Sequence, residues 1–217
     1  ILFCYFNFIY LLICICRIIN TIKLINQYKL MFRMYFSNLE LKGVKFWNAN
    51  MKQSNFKQSN LSKSKLQGSN ISDSQFNQAI FIGAQLQGVN LNNAKINNSD
   101  FRGVDMQTVE FMDGEAINSD MKSINFTGAN LENADFSGSN LSNVNFTDAS
   151  IKNIRFISSN LSNVNFNKID LSRVIFKDIL FCGKRVVRKI SNSSFLDGII
   201  NQEKRDNTSI LKFLYCD

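Results

Sequence analysis

The chain has no histidine and no proline among its 217 residues, and it has only five cysteines and one tryptophan. Without an imidazole there is no nucleophile–histidine pair, no histidine-bearing zinc centre and no histidine proton relay. The absence of proline, beside abundant Ile, Asn, Lys and Phe, reads as AT-rich coding. Cys4, Cys14, Cys16, Cys182 and Cys216 are too few and too scattered for a disulfide framework. Cys14 and Cys16 form one C-x-C without a second ligand pair, so the thiols read as small hydrophobes. No glycine-rich phosphate loop and no nucleophile elbow stands in the sequence. What the chain does have, 45% hydrophobic and 12% aromatic residues, excludes a disordered polymer.

The apolar residues follow one rule. Stepping by five from Phe36 gives Leu41, Phe46, Met51, Phe56, Leu61, Leu66, Ile71, Phe76 and Phe81, and the step continues to Phe181. Of these thirty positions only Ala116 is not a large hydrophobe. Two residues earlier runs a second lattice, from Val44, Ala49, Ser54 and Ser59 to Val174 and Ile179, made of Ala, Ser, Val, Ile and Gly. The other three places in each five are mostly Asn, Asp, Lys, Gln, Ser and Gly. Helices repeat at 3.6 residues and strands at 2, so neither explains a period of five.

A coil that turns a corner every five residues does explain it. The large residue and the small one before it point inward, and the other three face water and form the corner. Four corners close a square, so twenty residues make one coil. Coils stacked at the inter-strand spacing of ~4.8 Å give a rod near ~36 Å long. The second inward site stays small because four large side chains already fill a narrow interior.

Sorting by twenties gives the interior columns. One reads Phe36, Phe56, Phe76, Ile96, Ala116, Phe136, Phe156, Phe176, and Phe136 is expected to be buried between Ala116 and Phe156. Asparagines also recur one coil apart, as Asn50, Asn70, Asn90 and Asn125, Asn145, Asn165, which suits amide ladders along the axis. The unit Gly114-Glu115-Ala116 has two small inward sites. It leaves either a dry void or a local shift that turns Met112 or Ile117 inward. The adaptable Met and the permissive Gly favour the shift.

Units such as Ala129-Asn130-Leu131-Glu132-Asn133, Ala134-Asp135-Phe136-Ser137-Gly138 and Ser139-Asn140-Leu141-Ser142-Asn143 resemble the pentapeptide-repeat family, A-[DN]-[LF]-x-x. The resemblance covers about two-thirds of the chain. It implies an all-β fold, a right-handed quadrilateral β-helix, here over residues 36–183. Some family members resemble duplex DNA and protect a type II topoisomerase. Some secreted bacterial effectors carry such repeats as a module.

Both ends of such a rod expose sheet edges and need caps. Residues 184–217 leave the period and are expected to form a C-terminal, helical cap, with Phe195, Leu196, Ile199, Ile200, Ile210, Leu211, Phe213 and Leu214 on its apolar faces. The cluster Lys184, Arg185, Arg188, Lys189 opens that segment, either as a solvated turn or as a contact for an anionic membrane or nucleic acid. Residues 1–35 are an apolar N-terminal segment with three readings: a membrane anchor through residues 1–22, a cap over the first coil, or an upstream stretch translated in error before Met31 or Met34. Residues 1–16 hold one polar residue, Asn7, and are followed by Arg17, Lys23, Lys29 and Arg33, the flank expected on the cytoplasmic side of an anchor. Trp47 faces outward and suits packing under an N-terminal cap.

No catalytic, cofactor-binding or metal-binding set emerges, so no cofactor is expected. Asp100, Asp105, Glu110, Asp113, Glu115, Asp120, Glu132 and Asp135 make an acidic belt around the middle coils. Within it Asp100 and Asp120, one coil apart in one column, have the placement for a metal pair, and a solvated girdle explains them as well. Lys42, Lys45, Lys52, Lys57, Lys63 and Lys65 make the early coils basic, and the net charge is +8. That layout counts against a DNA mimic, and aromatics held inside the rod cannot stack on bases, which counts against nucleic-acid binding. The expected function is a non-enzymatic scaffold for a protein partner, tethered to a membrane if residues 1–22 are an anchor, with an end cap as the surface for a homodimer. The alternatives are a DNA-mimicking topoisomerase protector and the repeat module of a bacterial effector.

Overall fold

The computed structural model describes residues 33–166, 169–180 and 211–212. Each coil takes twenty residues. Tyr35 pairs with Asn55, Asn55 with Gln75 and Gln75 with Lys95, all parallel. The other three sides start with Glu40–Asn60, Lys45–Lys65 and Asn50–Asn70 and keep the same step. Most sides contribute a single paired residue. Longer pairing appears at the C-terminal end, where β1 (Arg155–Ile157) pairs in parallel with β2 (Ile175–Lys177). There β3 (Ile179–Leu180) pairs with β4 (Leu211–Lys212). Residues Leu211 and Lys212 were expected in a helical cap; instead they extend the parallel ladder by one strand, which gives the open edge of Ile179–Leu180 backbone partners. The rest of the expected C-terminal cap, and the whole apolar segment before Arg33, lie outside the described residues.

The backbone hydrogen bonds explain the polar places of the repeat. The amide of a large residue donates to the next coil, as Phe36 N–H to the Asn55 carbonyl at 2.7 Å. The amide two places on does the same, as Asn38 N–H to Lys57 at 2.9 Å. The amide between them has no ladder acceptor, and the Asn or Asp before the large residue supplies one. Ser62 N–H donates to Asn60 Oδ1 at 3.1 Å, Ser72 N–H to Asn70 Oδ1 at 3.1 Å and Ser137 N–H to Asp135 Oδ1 at 2.9 Å. This corrects the amide-ladder expectation for one column: Asn50, Asn70 and Asn90 accept from the local amides of Lys52, Ser72 and Asn92 and form no rung with one another. In the other column a rung does form, Asn165 Nδ2 donating to Asn145 Oδ1 at 3.0 Å.

Each corner needs a left-handed residue two places after the large one. From Asn38 to Asn163 every such residue has φ between +52° and +71°. Nine Asn, seven Gly and three Asp fill 19 of these 26 places, the residue types that adopt this conformation at least cost. Arg173 stands at the equivalent place without a positive φ, although Val174 N–H still closes its corner on the Leu171 carbonyl at 3.1 Å.

Serine at the small inward site closes a corner one coil away. Ser99 N–H donates to Ser119 Oγ at 3.3 Å, and that hydroxyl donates to the Ile96 carbonyl at 2.7 Å, so it stands in for the corner's own N–H···O bond. Ser74 does this for the corner from Met51 to Ser54, and Ser139 for the corner from Ala116 to Ser119. The buried hydroxyls of Ser64, Ser69 and Ser159 have no such partner.

Inside, the lattice is filled as the spacing requires. Phe136 is fully buried, with its ring centroid 5.8 Å from Phe111, 6.0 Å from Phe126 and 6.0 Å from Phe156. The expected shift at Gly114-Glu115-Ala116 does not occur. Ala116 is buried and keeps the ladder, donating to the Asp135 carbonyl at 2.8 Å, while Met112 and Ile117 stay half-buried on the outside. The space is taken by Phe111, whose Cδ2, Cε2 and Cζ atoms lie where a Cβ on residue 114 would stand. Gly114 has no positive φ, so it is glycine for room and not for backbone freedom.

Candidate interaction faces

The four sides of the rod carry the outward residues, and the sequence decides how each is dressed. The acids of the belt fall on all four sides, since Asp100, Asp105, Glu110 and Glu115 step by five around the square, and no cleft among the described residues gathers them. Most are held by neighbours on their own side. Lys95 Nζ pairs with Glu115 Oε1 at 3.1 Å, and Arg155 Nε with Asp135 Oδ2 at 3.2 Å. Asp113 Oδ1 accepts from Asn133 Nδ2 at 3.0 Å, Glu132 Oε1 from Ser150 Oγ at 2.9 Å, and Asp105 Oδ2 from Gln87 Nε2 at 2.8 Å. Glu110 is exposed.

Asp100 and Asp120 do sit one coil apart as paired residues. Between them lies the Arg102 guanidinium, Nη2 at 2.6 Å from Asp100 Oδ2 and Nε at 3.6 Å from Asp120 Oδ2. Hydrogen bonding from the Arg102 side chain is the main cause that holds the Asp100 carboxyl below its usual range, against a smaller upward push from burial. A cation already occupies the place a metal would take, and no cluster of metal-ligating side chains occurs among the described residues.

The basic coils differ from the belt. Lys52 Nζ pairs with Asp73 Oδ2 at 3.2 Å, but Lys42, Lys45, Lys57, Lys63 and Lys65 make no ion pair among the described residues. The Lys45 and Lys65 ammonium groups stand 5.6 and 5.7 Å from the Trp47 ring centroid, within cation–π range. Trp47 is 43% exposed and Tyr35 69%. Ile80 and Ile82, neighbours on one side of a later coil, are the other large apolar residues left exposed among the described residues. Sequence reasoning did not single out Tyr35, Ile80 or Ile82, although the lattice places all three outside. The five cysteines and the cluster Lys184, Arg185, Arg188, Lys189 lie outside the described residues, and no described helix is long and apolar enough to cross a membrane.

Comparison with known proteins places this geometry. Residues 115–185 match the sequence model of a pentapeptide repeat region, and residues 40–74 and 69–107 match pentapeptide repeats. No curated protein matches the chain. Among solved structures it is similar to QnrB1, a plasmid-mediated fluoroquinolone resistance protein, at 15% identity over 83% of this chain and 96% of that one, with a TM-score of 0.38. It is also similar to HetL, involved in heterocyst differentiation regulation in Nostoc sp. strain PCC 7120, at 13% identity over 75% and 92% of the two chains, with a TM-score of 0.36. A pentapeptide repeat protein of the Arabidopsis thaliana thylakoid lumen shares 19% identity over 76% and 90%, with a TM-score of 0.30. The repeat matches span most of the coils, and with the twenty-residue ladder they give the fold class: the chain belongs to the pentapeptide-repeat family and forms a right-handed quadrilateral β-helix.

Proposed function

We propose that the protein is a non-enzymatic scaffold that presents the sides of its rod to a protein partner and is tethered to a membrane through residues 1–22. Pentapeptide-repeat proteins are in general structural or scaffold proteins. The observation that carries the reading is the dispersal of the acids over four sides, most of them held by a neighbour on their own side. Catalysis needs groups that converge on one reacting atom, and this arrangement spreads them apart. Docking needs a stiff surface with fixed spacing, which the ladder supplies.

The test has two arms. Photo-crosslinkers placed in vivo at Ile82, Gln85, Glu110 and Lys95, one on each of the four sides, are expected to give one discrete adduct band from a single side. No adduct from any side would contradict the scaffold. Intact mass of the natively expressed protein tests the tether, and a mass beginning at Met31 or Met34 would contradict it.

A second reading, a DNA-mimicking topoisomerase protector, is favoured by one observation. Residues 73–135 carry nine acids against Lys95, Arg102 and Lys122. QnrB1, whose fold is similar, is a fluoroquinolone resistance protein. Protection of gyrase supercoiling from a fluoroquinolone by added protein would favour this reading over the scaffold. The basic first coils weigh against it, because a duplex mimic needs its acid along the whole rod.

A further inference from the structure

Charge is divided along the axis. Residues 33–72 carry Arg33, Lys42, Lys45, Lys52, Lys57, Lys63 and Lys65 against Glu40 alone. Those two coils occupy about 10 Å of the rod, close to one Debye length at physiological salt, so their charges act as one patch. The lysines encircle the rod: Lys45, Lys63 and Lys65 project from one side, Lys52 from the next and Lys57 from the third. Of the six lysines, only Lys52 is neutralised by an ion pair among the described residues.

The same two coils carry the exposed aromatics. Tyr35 and Trp47 contribute nothing to the core, and the Lys45 and Lys65 ammonium groups flank the Trp47 ring. An exposed Trp flanked by Lys, with an exposed Tyr in the same coil, is the combination that a bilayer interface accommodates, rings at headgroup level and ammonium groups on anionic lipid. The apolar residues 1–16 precede this end of the rod in the sequence.

We propose that the first two coils form an end-on docking collar for an anionic bilayer surface, with Tyr35 and Trp47 at the interface and Lys42, Lys45, Lys57, Lys63 and Lys65 on lipid headgroups. The proposal rests on the tethered reading for its proximity to lipid, and the two fail separately. The collar sets the rod upright on the membrane and holds the acidic girdle away from it.

Trp47 is the single tryptophan and serves as its own reporter. The full chain is mixed with vesicles of phosphatidylcholine alone or of phosphatidylcholine with phosphatidylserine. The expected result is a blue shift of Trp47 emission on the anionic vesicles only, reversed by salt. The Lys45→Glu/Lys63→Glu/Lys65→Glu variant, checked to melt like the parent, should lose the shift and partition at least ~10-fold more weakly. Vesicle binding without a Trp47 response to phosphatidylserine overturns the collar and leaves the tether. No vesicle binding of either kind overturns both. A shift produced equally by duplex DNA or by polyglutamate assigns the patch to another anion, one produced by raising the concentration of the protein assigns it to self-association, and either overturns the collar.

Discussion

The same five-residue rule encloses two different interiors. In the N-terminal coils Phe36, Phe56 and Phe76 stack at 4.7 and 4.8 Å with their planes within 19° of parallel. That spacing is the rise of a coil. In the same column beyond the fault, Phe136–Phe156 and Phe156–Phe176 stand 6.0 and 5.7 Å apart and tilt by 28° and 23°. The difference comes from what lies half a coil away, across the square. Phe56 and Phe76 face the Leu66 and Leu86 column. Phe136, Phe156 and Phe176 face Phe126, Phe146 and Phe166, and meet them edge to face, at 70° for Phe126–Phe136 and 87° for Phe166–Phe176. Rings opposite leucine stack directly over their neighbours in the next coil. Beyond the fault, rings opposite rings slide aside so that edges can meet faces, the arrangement that the aromatic quadrupole prefers; at the N-terminal end Phe36, tilted 52° against Phe46, keeps its 4.7 Å stack on Phe56. Spacing by five therefore fixes where a side chain goes, and the residue ten places away contributes to how it packs.

The largest expected effects break this contrast directly. Phe136→Ala removes a ring that touches three others and is expected to cost ~3–5 kcal/mol, with Phe76→Ala toward the lower end of that range. A denaturant melt of both variants checks this, and equal small losses below ~1 kcal/mol would contradict the packed interior. Next in size is Gly114→Ala, which drives a methyl into the Phe111 ring and should cost ~1–3 kcal/mol. Adding Phe111→Leu should restore most of that loss, since the two sites share one space, and a double-mutant cycle measures the coupling. Additive losses would mean that Phe111 is not what fills the fault.

The serine sites sharpen the comparison at smaller scale. Ser119→Ala removes the hydroxyl that closes a corner and leaves an amide and a carbonyl unpaired, at a cost of ~1–2 kcal/mol. Ser64→Ala removes a hydroxyl without a partner and should be neutral or slightly stabilising. Thermal melts of the two variants should differ in that order.

The smallest effect concerns the girdle between the halves. Asp100 has a lowered pKa, so the stability it contributes is present above the ordinary carboxylate range and is lost as pH falls through the lowered value. Arg102→Met removes the main cause, and the Asp100 carboxyl should then titrate at higher pH in a carbon-detected NMR titration. An unchanged midpoint would show that the guanidinium does not hold it.

Much of this was legible in the sequence. The inward lattice, the twenty-residue coil and the encircling acids follow from spacing alone, because backbone geometry allows few ways to bury one residue in five. Two features were legible but need a second sorting. Phe111 is the one ring in a column of Met51, Ile71, Leu91, Leu131, Ile151 and Leu171, and it stands beside Ala116, where the neighbouring column lacks one. Compensation between columns, and not a shift of register, is how a close-packed interior fills such a gap. The corner residues likewise show their role in the run of Asn, Gly and Asp two places after each large residue. The serine hydroxyls that close corners one coil away were not legible, since Ser64 and Ser119 stand in the same sequence place and only the hydrogen bonds tell them apart. The candidate faces were half legible: the sign of charge along the axis could be read, but the Arg102 bridge between Asp100 and Asp120 could not.

The central claim is that the ladder runs unshifted through Gly114-Glu115-Ala116 and that the Phe111 ring lies over Gly114 to join the two interiors. Proton NMR of the Gly114 Hα pair tests it most directly. The account predicts strong upfield ring-current shifts relative to the corner glycines, with nuclear Overhauser contacts from both Hα protons to the Phe111 ring. Gly114 Hα shifts in the ordinary range, with Met112 or Ile117 side chains showing contacts to the Phe136 ring instead, would contradict it.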